Sequence, residues 1–257
     1  MGVAGVAWAT LIAQGISAVL SFGFLLKKLK GIETDTYSRF DGALLKNMVK
    51  VAIPTIVQQS IVSVGMVLVQ SAVNRFGSTF LAGYTAATKI DGIAIIPMVA
   101  VGNAVSTYVA QNMGARKPER IGKGYRICLV MAAGIGLIIA VILHFAGNDF
   151  VGLFLDSESS REAIEIGARY LSIVSLFYFM MGILNVSNGV LRGAADMGWF
   201  LTCSLCNLGV RVALTYLLAD VTHGMIIMWA NPAGWAVGLV IALARYFQGG
   251  WKTKEII

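Results

Sequence analysis

The chain has 257 residues, of which 57% are hydrophobic and only 13% are charged. A soluble domain carries about 25% charged residues, so this composition excludes an ordinary soluble fold and indicates a helical protein that crosses a membrane several times. The formal net charge of +7 could point to nucleic acid, but most basic residues lie in alternate connectors between apolar segments. That pattern is typical of a membrane topology signal, and we expect no nucleic acid partner.

Seven apolar segments are long enough to cross a bilayer, because a spanning helix needs about 20 mostly apolar residues. They cover residues 1–26, 47–73, 80–107, 124–147, 164–190, 198–219 and 224–248. The third and fifth segments are polar enough that we expect one face of each to be directed into protein rather than lipid. The predicted fold is all-α: a polytopic membrane bundle of about seven transmembrane helices.

The first segment predicts how the chain is organised. It begins at Met1 without a polar leader and ends at the basic sequence KKLK, whereas a signal peptide starts with a basic region and has a shorter apolar core. The basic end predicts a helix that enters the membrane from outside. We therefore expect residues 1–26 to be the last helix of a preceding lobe, residues 27–46 a cytoplasmic linker and residues 47–257 a six-helix lobe. On this interpretation the sequence is the latter part of a longer protein.

Charge in the connectors predicts the orientation. Residues 27–50, residues 108–126 and the C-terminal end are basic, whereas the opposite connectors contain the acidic residues Asp149, Asp156, Glu158, Glu162 and Glu165. The positive-inside rule places the basic group, with Lys254 near the C-terminus, in the cytoplasm. We expect a multi-pass protein of the plasma (inner) membrane whose basic loops contact anionic membrane lipids.

The third segment contains the sequence AATKIDGIAIIPM, in which Lys89 and Asp91 are two residues apart. Two residues correspond to about 200° around a helix axis, so these side chains do not face each other. A charge in the middle of a membrane costs at least about 2.5–3.5 kcal/mol, so each needs another partner. Arg211, in the sixth segment, lies at a compatible depth and predicts an ion pair with Asp91 that Lys89 could share. Such a group is either a static link between helices or the lining of a hydrated cavity that binds a coupling cation.

Prolines and uncharged polar residues indicate where the helices are broken or face a cavity. Pro54 lies at the start of the second segment, and Pro97 removes a hydrogen bond inside the third. Broken or polar helices at membrane depth are tolerated where they are buried in protein or line a cavity. The polar residues on three segments are Gln58, Gln59, Gln70, Asn103, Asn185, Ser187 and Asn188. Each alone could link two helices, but together they predict the wall of a central cavity.

We find no signature of an enzyme or of a metal site. The sequence contains no G-x-S-x-G, no H-E-x-x-H and no P-loop. Cys203 and Cys206 have C-x-x-C spacing, but no second Cys or His pair completes a metal site. His144 and His223 are expected near the outer face. We therefore expect no enzymatic activity, no metal and no cofactor.

Four stretches resemble, in order and spacing, the second half of the MATE family of multidrug and toxic-compound extrusion transporters. They are VAIPTIVQQSIVSVGMVLVQSAVNRFG, LAGYTAATKID, YVAQNMGARKPERI and GVLRGAADM. GVAGVAWATLIAQGISAVL is similar to the last helix of the first half of that family. The resemblance implies two six-helix lobes around a central cavity and export of organic cations or drugs in exchange for H⁺ or Na⁺. It also implies a partner lobe, N-terminal to this one.

Within the alternating-access mechanism that the resemblance implies, three groups of residues have expected roles. The cavity charge that couples transport to the cation is expected at Asp91, with Lys89 and Arg211. The substrate cavity is expected to be lined by Gln58, Gln59, Asn103, Asn185 and Asn188. Hinge or gate positions are expected at Pro54, Pro97, Gln111, Asn112, Gly114, Arg192 and Gly193. Some branches of the family have carboxylates where this chain has Gln58–Gln59 and Met180–Met181, so their cation site is not reproduced here.

Two other functions stay open. A lipid-linked saccharide flippase of related architecture should line its cavity with several basic groups that bind pyrophosphate, and Lys89 and Arg211 are two such groups. A non-transporting half-protein with a structural or assembly role is the second alternative, because one lobe cannot enclose a cavity by itself.

Overall fold

The computed structural model describes residues 2–31, 40–155 and 161–253, where all regular structure is helical. It divides into two compact units, residues 1–45 and residues 46–257. Part of the predicted linker, residues 32–39, lies outside the described residues, and so do Asp156, Glu158 and Lys254.

The first unit contains helix α1, Gly2–Leu29. Its large apolar side chains are exposed along most of its length, for example Val19 and Phe24. It ends on Lys27 and Lys28, and basic side chains stabilise the negative end of a helix. At 28 residues and 1.5 Å per residue, α1 is long enough to cross a bilayer.

The other helices follow in chain order and agree with the predicted segments to within a few residues at most ends. They are α2 (Gly42–Val73), α3 (Ser78–Ala94), α4 (Ile96–Gly114), α5 (Ile121–Gly152), α6 (Arg161–Ser175), α7 (Tyr178–Gly193), α8 (Met197–Leu218) and α9 (Met225–Gln248). Short 3₁₀ turns lie at Asn74–Phe76, Pro118–Arg120 and Gly250–Thr253. Six helical stretches have the length and composition to span a membrane, and one of them joins α3 and α4. The number is seven if α6 and α7 together form one bent span.

Helix α2 begins earlier than predicted. Asp41 caps it, because its Oδ1 accepts hydrogen bonds from the backbone N–H groups of Ala43 (2.8 Å) and Leu44 (3.1 Å). Pro54 therefore lies inside α2 rather than at its start, which corrects the predicted position.

Two of the predicted spans are broken helices. α3 ends at Ala94 and α4 begins at Ile96, which places Pro97 in the first turn of α4, where a backbone N–H is not needed. α6 and α7 are bent by 54° at residues 176–177. The second break was not predicted, because the sequence has neither proline nor glycine there.

Glycines allow α7 to pack closely against two neighbours. A Cβ atom on Gly189 would overlap the backbone carbonyl of Gly102 on α4, and one on Gly193 would overlap that of Ser106. On the α5 side, a Cβ atom on Gly182 would lie 2.8 Å from the carbonyl oxygen of Ala132. Small residues at such contacts are typical of helix packing in membranes. Gly193, predicted as a hinge, is thus buried at a tight helix contact.

Candidate functional site

A cavity of about 420 Å³ lies between α2, α3, α6, α7, α8 and α9. Met66, Leu184 and Trp235 are among the apolar residues of its wall. Its polar and charged lining residues are Gln58, Gln70, Tyr84, Thr88, Asp91, Tyr170, Asn185, Asn188, Ser204, Asn207, Arg211 and Asn231. All these residues belong to the second compact unit. The cavity therefore brings polar groups of six helices to one place.

Asp91 lines this cavity from the last turn of α3. Its Oδ1 accepts a hydrogen bond of 2.6 Å from the phenol of Tyr178. Tyr178 is fully buried and is the first residue of α7, directly after the 54° bend. The bend thus positions the phenol against the carboxylate, while the break at Ile95 lies one turn beyond Asp91. The partly buried Asp91 therefore lies between two breaks in the helices.

Arg211 lines the same cavity from α8 and interacts electrostatically with Asp91 and Tyr84. Within the described part of the chain, however, no ion pair joins Arg211 to Asp91. The predicted ion pair is not formed, and the direct partner of the Asp91 carboxylate is the Tyr178 hydroxyl. Both charges are therefore directed at the cavity without neutralising each other in a salt bridge.

Lys89 lies outside the cavity. Its side chain is exposed, and its Nζ is 5.8 Å from the centre of the Phe154 ring. The geometry follows from the two-residue spacing, which places Lys89 and Asp91 on opposite sides of α3. The expectation that Lys89 shares the carboxylate is wrong.

The predicted polar lining residues separate into two groups. Gln58, Asn185 and Asn188 line the cavity, and Asn185 also donates from Nδ2 to the backbone oxygen of Met181 on its own helix at 3.0 Å. Gln59 is exposed on α2 and does not line the cavity. Asn103 also lies elsewhere, on an exposed position of α4.

Two amide oxygens of the cavity are buried and have no hydrogen-bond partner among the described residues: Oδ1 of Asn188 and Oδ1 of Asn231. Asn231 is 5% exposed and donates from Nδ2 to the Tyr170 hydroxyl at 2.6 Å. Tyr170 in turn interacts electrostatically with Asp91, so these groups lie close together. Buried acceptors are nearly always paired in folded proteins, so these two oxygens are exceptions beside the cavity.

Sequence reasoning missed the cavity residues Tyr84, Tyr170, Asn207 and Asn231, and also Tyr178, which donates to Asp91 from outside the cavity wall. Asn231 could have been found, because it is a polar residue beside a proline in the otherwise apolar sequence MWANPAGW. The tyrosines gave no signal, since a buried tyrosine is common in any helical core.

Arg192 joins α7 to α4 outside the cavity. Its Nη2 donates to Oδ1 of Asn103 at 2.6 Å, and its Nε donates to Oγ of Ser106 at 3.3 Å. Asn103 was predicted to line the cavity and Arg192 to act at a hinge or gate. The structure brings them together in a link between helices.

The other predicted gate residues lie at the end of α4. The Nδ2 of Asn112 donates to the backbone oxygen of Tyr108 at 2.8 Å. The backbone carbonyl of Asn112 accepts from the N–H of Lys117 at 2.8 Å. Gln111 and Gly114 are exposed there. These contacts hold the connector between α4 and α5.

A second charged group was not predicted. Asp196, 2% exposed in the turn between α7 and α8, accepts a hydrogen bond of 2.7 Å from Nε of Arg245 on α9. The Arg245 guanidinium also lies over the Trp199 ring, 5.2 Å from its centre. Next to it, Tyr246 stacks on Tyr125 with ring centres 4.0 Å apart. This group fixes the end of α9 and is separate from the cavity.

Comparison with known proteins identifies the relatives of the chain. The MatE family model matches residues 54–217. The probable multidrug resistance protein YoeA of Bacillus subtilis is 26% identical over 263 residues, which is 100% of this chain and 56% of that protein. The probable multidrug resistance protein YpnP of the same organism is 27% identical, over 100% and 57%. The chain thus spans just over half the length of these curated relatives.

Solved structures show the same fold. The crystal structure of MATE in the bent conformation matches 96% of this chain and 56% of its own, with a TM-score of 0.77 and 18% identity. The outward-facing conformation of a multidrug resistance MATE family transporter matches 80% of this chain and 46% of its own, with a TM-score of 0.72 and 20% identity.

Proposed function

Because the chain belongs to the MatE family, which is a family of membrane transporters, we propose that it forms one lobe of a secondary active antiporter. The antiporter exports organic cations or drugs in exchange for H⁺ or Na⁺ by alternating access. Support comes from the relatives named as multidrug resistance proteins. The observation that carries the proposal is a cavity lined by Asp91, whose carboxylate is held by Tyr178 between two helix breaks.

Asp91 is proposed to couple export of the organic cation to entry of H⁺ or Na⁺. One oxygen of its carboxylate is held by Tyr178, which leaves the other for a cation. An organic cation and an incoming H⁺ or Na⁺ then compete for the same negative charge. Besides Tyr178 on α7, the titratable or charged groups near Asp91 are Tyr84 on α3, Tyr170 on α6 and Arg211 on α8. The described lining residues of α2 and α9 include no titratable or charged side chain.

The breaks between α3 and α4 and between α6 and α7 link ion binding at Asp91 to movement of these helices. Asp91 is four residues before the α3–α4 break, and Tyr178 begins the helix that follows the α6–α7 bend. A change at their hydrogen bond therefore acts on two broken spans at once. Broken helices at the binding site are a recurring feature of alternating-access transporters.

We also propose the setting of this lobe. The basic connectors support a place in the plasma (inner) membrane with the C-terminus in the cytoplasm and with contacts to anionic lipids. Since the chain spans just over half the length of its curated relatives, we propose that residues 47–257 pair with a second, N-terminal lobe. Residues 1–26 would then be the last helix of that lobe.

Transport into or out of vesicles tests the proposal. The chain is reconstituted together with its proposed N-terminal lobe in vesicles loaded with proflavine, a fluorescent aromatic cation, and an inward pH or Na⁺ gradient is imposed. We expect gradient-driven efflux that Asp91→Asn abolishes. Lys89→Gln is the matched control, because it removes a charge two residues away and outside the cavity, and its efflux should equal that of the wild type. Unchanged efflux in Asp91→Asn would contradict the role of Asp91, and no efflux in the wild type would favour a non-transporting half-protein.

The flippase alternative has less support than antiport. A pyrophosphate group needs several basic partners, and of the two predicted ones only Arg211 lines the cavity. Among the described lining residues, Arg211 is the one basic side chain.

A further inference from the structure

An open groove of about 560 Å³ lies between α5, α6 and α9, and it shares no lining residue with the cavity of Asp91. We propose that this α5–α6–α9 groove binds a membrane phospholipid whose headgroup combines a phosphate with a primary amine. The proposal goes beyond antiport and does not depend on it. The polar lining residues of the groove are His144, Asn148, Glu165, Arg169 and Ser172.

The groove lies at the helix ends that we expect at the outer face of the membrane. His144 is in the last third of α5, Glu165 is the fifth residue of α6, and Met225 is the first residue of α9. The connectors at these ends, residues 153–160 and 219–224, contain no lysine or arginine, whereas the basic connectors lie at the opposite ends. Side chains near the ends of membrane-spanning helices lie at the level of the lipid headgroups.

Each of the three helices continues from the groove into exposed apolar surface. On α5, the exposed Val141 lies one turn deeper than His144. The exposed Leu176 follows Ser172 by four residues, directly after α6. On α9, the exposed Trp229 is one turn deeper than the start of the helix, and tryptophan is enriched at membrane interfaces. Polar groups above apolar surface match a headgroup above its acyl chains, so the groove suits a lipid better than a water-soluble ligand.

The charges of the groove match a headgroup with two charges of opposite sign. Glu165 and Arg169 are four residues apart and share one face of α6. They form no ion pair with each other, and Arg169 has no carboxylate partner among the described residues. Glu165 contacts the exposed Arg161 at 3.7 Å, a kind of pair that contributes little. A phosphate can therefore bind Arg169 through two hydrogen bonds, while an ammonium group attached to it binds Glu165.

Uncharged donors lie on the α5 side of the groove. Nδ1 of His144 and Oγ of Ser172 are 3.2 Å apart, which links α5 to α6. When Ser172 donates in this bond, Nε2 of His144 carries the ring hydrogen and can donate to a phosphate oxygen. Nδ2 of Asn148 is a further donor. The groove thus offers donors from two helices to a phosphate and a carboxylate to the amine.

Binding of matched lipids to the purified chain, measured by native mass spectrometry, tests the proposal. Dioleoyl phosphatidylethanolamine is compared with dioleoyl phosphatidylcholine, which has the same phosphate and chains but no N–H bond to donate. We expect the ethanolamine lipid to bind at least about fivefold more tightly, because only its amine can donate to Glu165. Glycerophosphoethanolamine, the headgroup without acyl chains, should not displace the lipid at equal concentration. Equal affinity of the two lipids, no lipid binding, or displacement by glycerophosphoethanolamine would overturn the proposal.

Variants assign the preference to residues. Glu165→Gln should remove the preference for the ethanolamine lipid and leave binding of the choline lipid unchanged. Arg169→Gln should weaken binding of both lipids about tenfold. Arg75→Gln is the matched control, because it removes an exposed cation outside the groove and should change neither affinity. A preference that survives Glu165→Gln, or that Arg75→Gln also removes, would contradict the proposal.

The side chains changed in these variants are exposed, so we expect the free energy of unfolding to stay close to that of the wild type. Lipid binding is measured without an ion gradient, and its result is therefore independent of transport. Selective lipid binding without proflavine efflux would refute antiport and keep the lipid site. Asp91-dependent efflux without lipid selectivity would refute the lipid site and keep antiport.

Discussion

Removing the carboxylate of Asp196 should destabilise the protein strongly, because water cannot take the place of the carboxylate beside the largely buried Arg245 guanidinium. Asp196 is 2% exposed, the Arg245 side chain is 15% exposed, and their contact is 2.7 Å. Removal of one member of such a buried pair leaves an uncompensated charge and costs about 3–5 kcal/mol. We therefore expect Asp196→Asn to lower the free energy of unfolding by an amount in this range.

A matched pair elsewhere in the chain gives the control. Arg75 and Asp220 are joined at 3.2 Å, but their side chains are 54% and 63% exposed. Exposed ion pairs contribute about 0–1 kcal/mol, so Asp220→Asn should change stability little.

The free energy of unfolding is measured for both variants by titration with SDS in mixed detergent micelles. A double variant, Asp196→Asn with Arg245→Met, should lose less than the sum of the two single losses, because no unpaired charge remains. Equal losses for Asp196→Asn and Asp220→Asn would refute the reasoning from burial.

Three further predictions follow from single contacts. Gly193→Ala should destabilise the protein by about 1–3 kcal/mol, because the added Cβ overlaps α4. Gly134→Ala, whose Cβ has no atom within 4 Å, should be neutral or stabilising in the same SDS titration. Equal losses of stability in the two variants would contradict this reasoning. Tyr178→Phe removes the hydrogen bond that the phenol donates to the Asp91 carboxylate. Protons should therefore displace proflavine from the purified chain at higher pH than in the wild type, because a donated hydrogen bond favours the carboxylate form. An unchanged displacement curve would contradict this. Asp41→Ala should lower the stability of the first turn of α2 by about 1 kcal/mol, seen as faster hydrogen exchange at residues 43 and 44, while unchanged exchange would exclude the cap.

The sequence was sufficient to predict the helices and the angular position of the charges on α3. Long apolar segments leave the backbone no alternative to helix in a bilayer, and the spacing of Lys89 and Asp91 alone places them on opposite sides. The cavity residues Gln58, Asn185 and Asn188 were also predicted, because polar residues in apolar segments need protein or water beside them.

Contacts between distant segments could not be predicted in this way. The partner of Asp91 is Tyr178, whose position depends on a bend that no proline or glycine marks. Arg245 belongs to the basic C-terminal end that predicts the orientation, and nothing in its local sequence shows that it is buried against Asp196. Gln59 and Asn103 fall outside the cavity because a polar residue in a span does not reveal which neighbour its helix face meets.

The central claim is that an organic cation competes with the coupling ion at the carboxylate of α3. Its most direct test is equilibrium binding of proflavine to the purified chain over a range of pH and Na⁺ concentration, in the wild type and in Asp91→Asn. We predict that protons or Na⁺ weaken binding to the wild type, and that binding to Asp91→Asn is weak and independent of both. If Asp91→Asn binds proflavine with the same dependence on pH and Na⁺ as the wild type, the claim is contradicted.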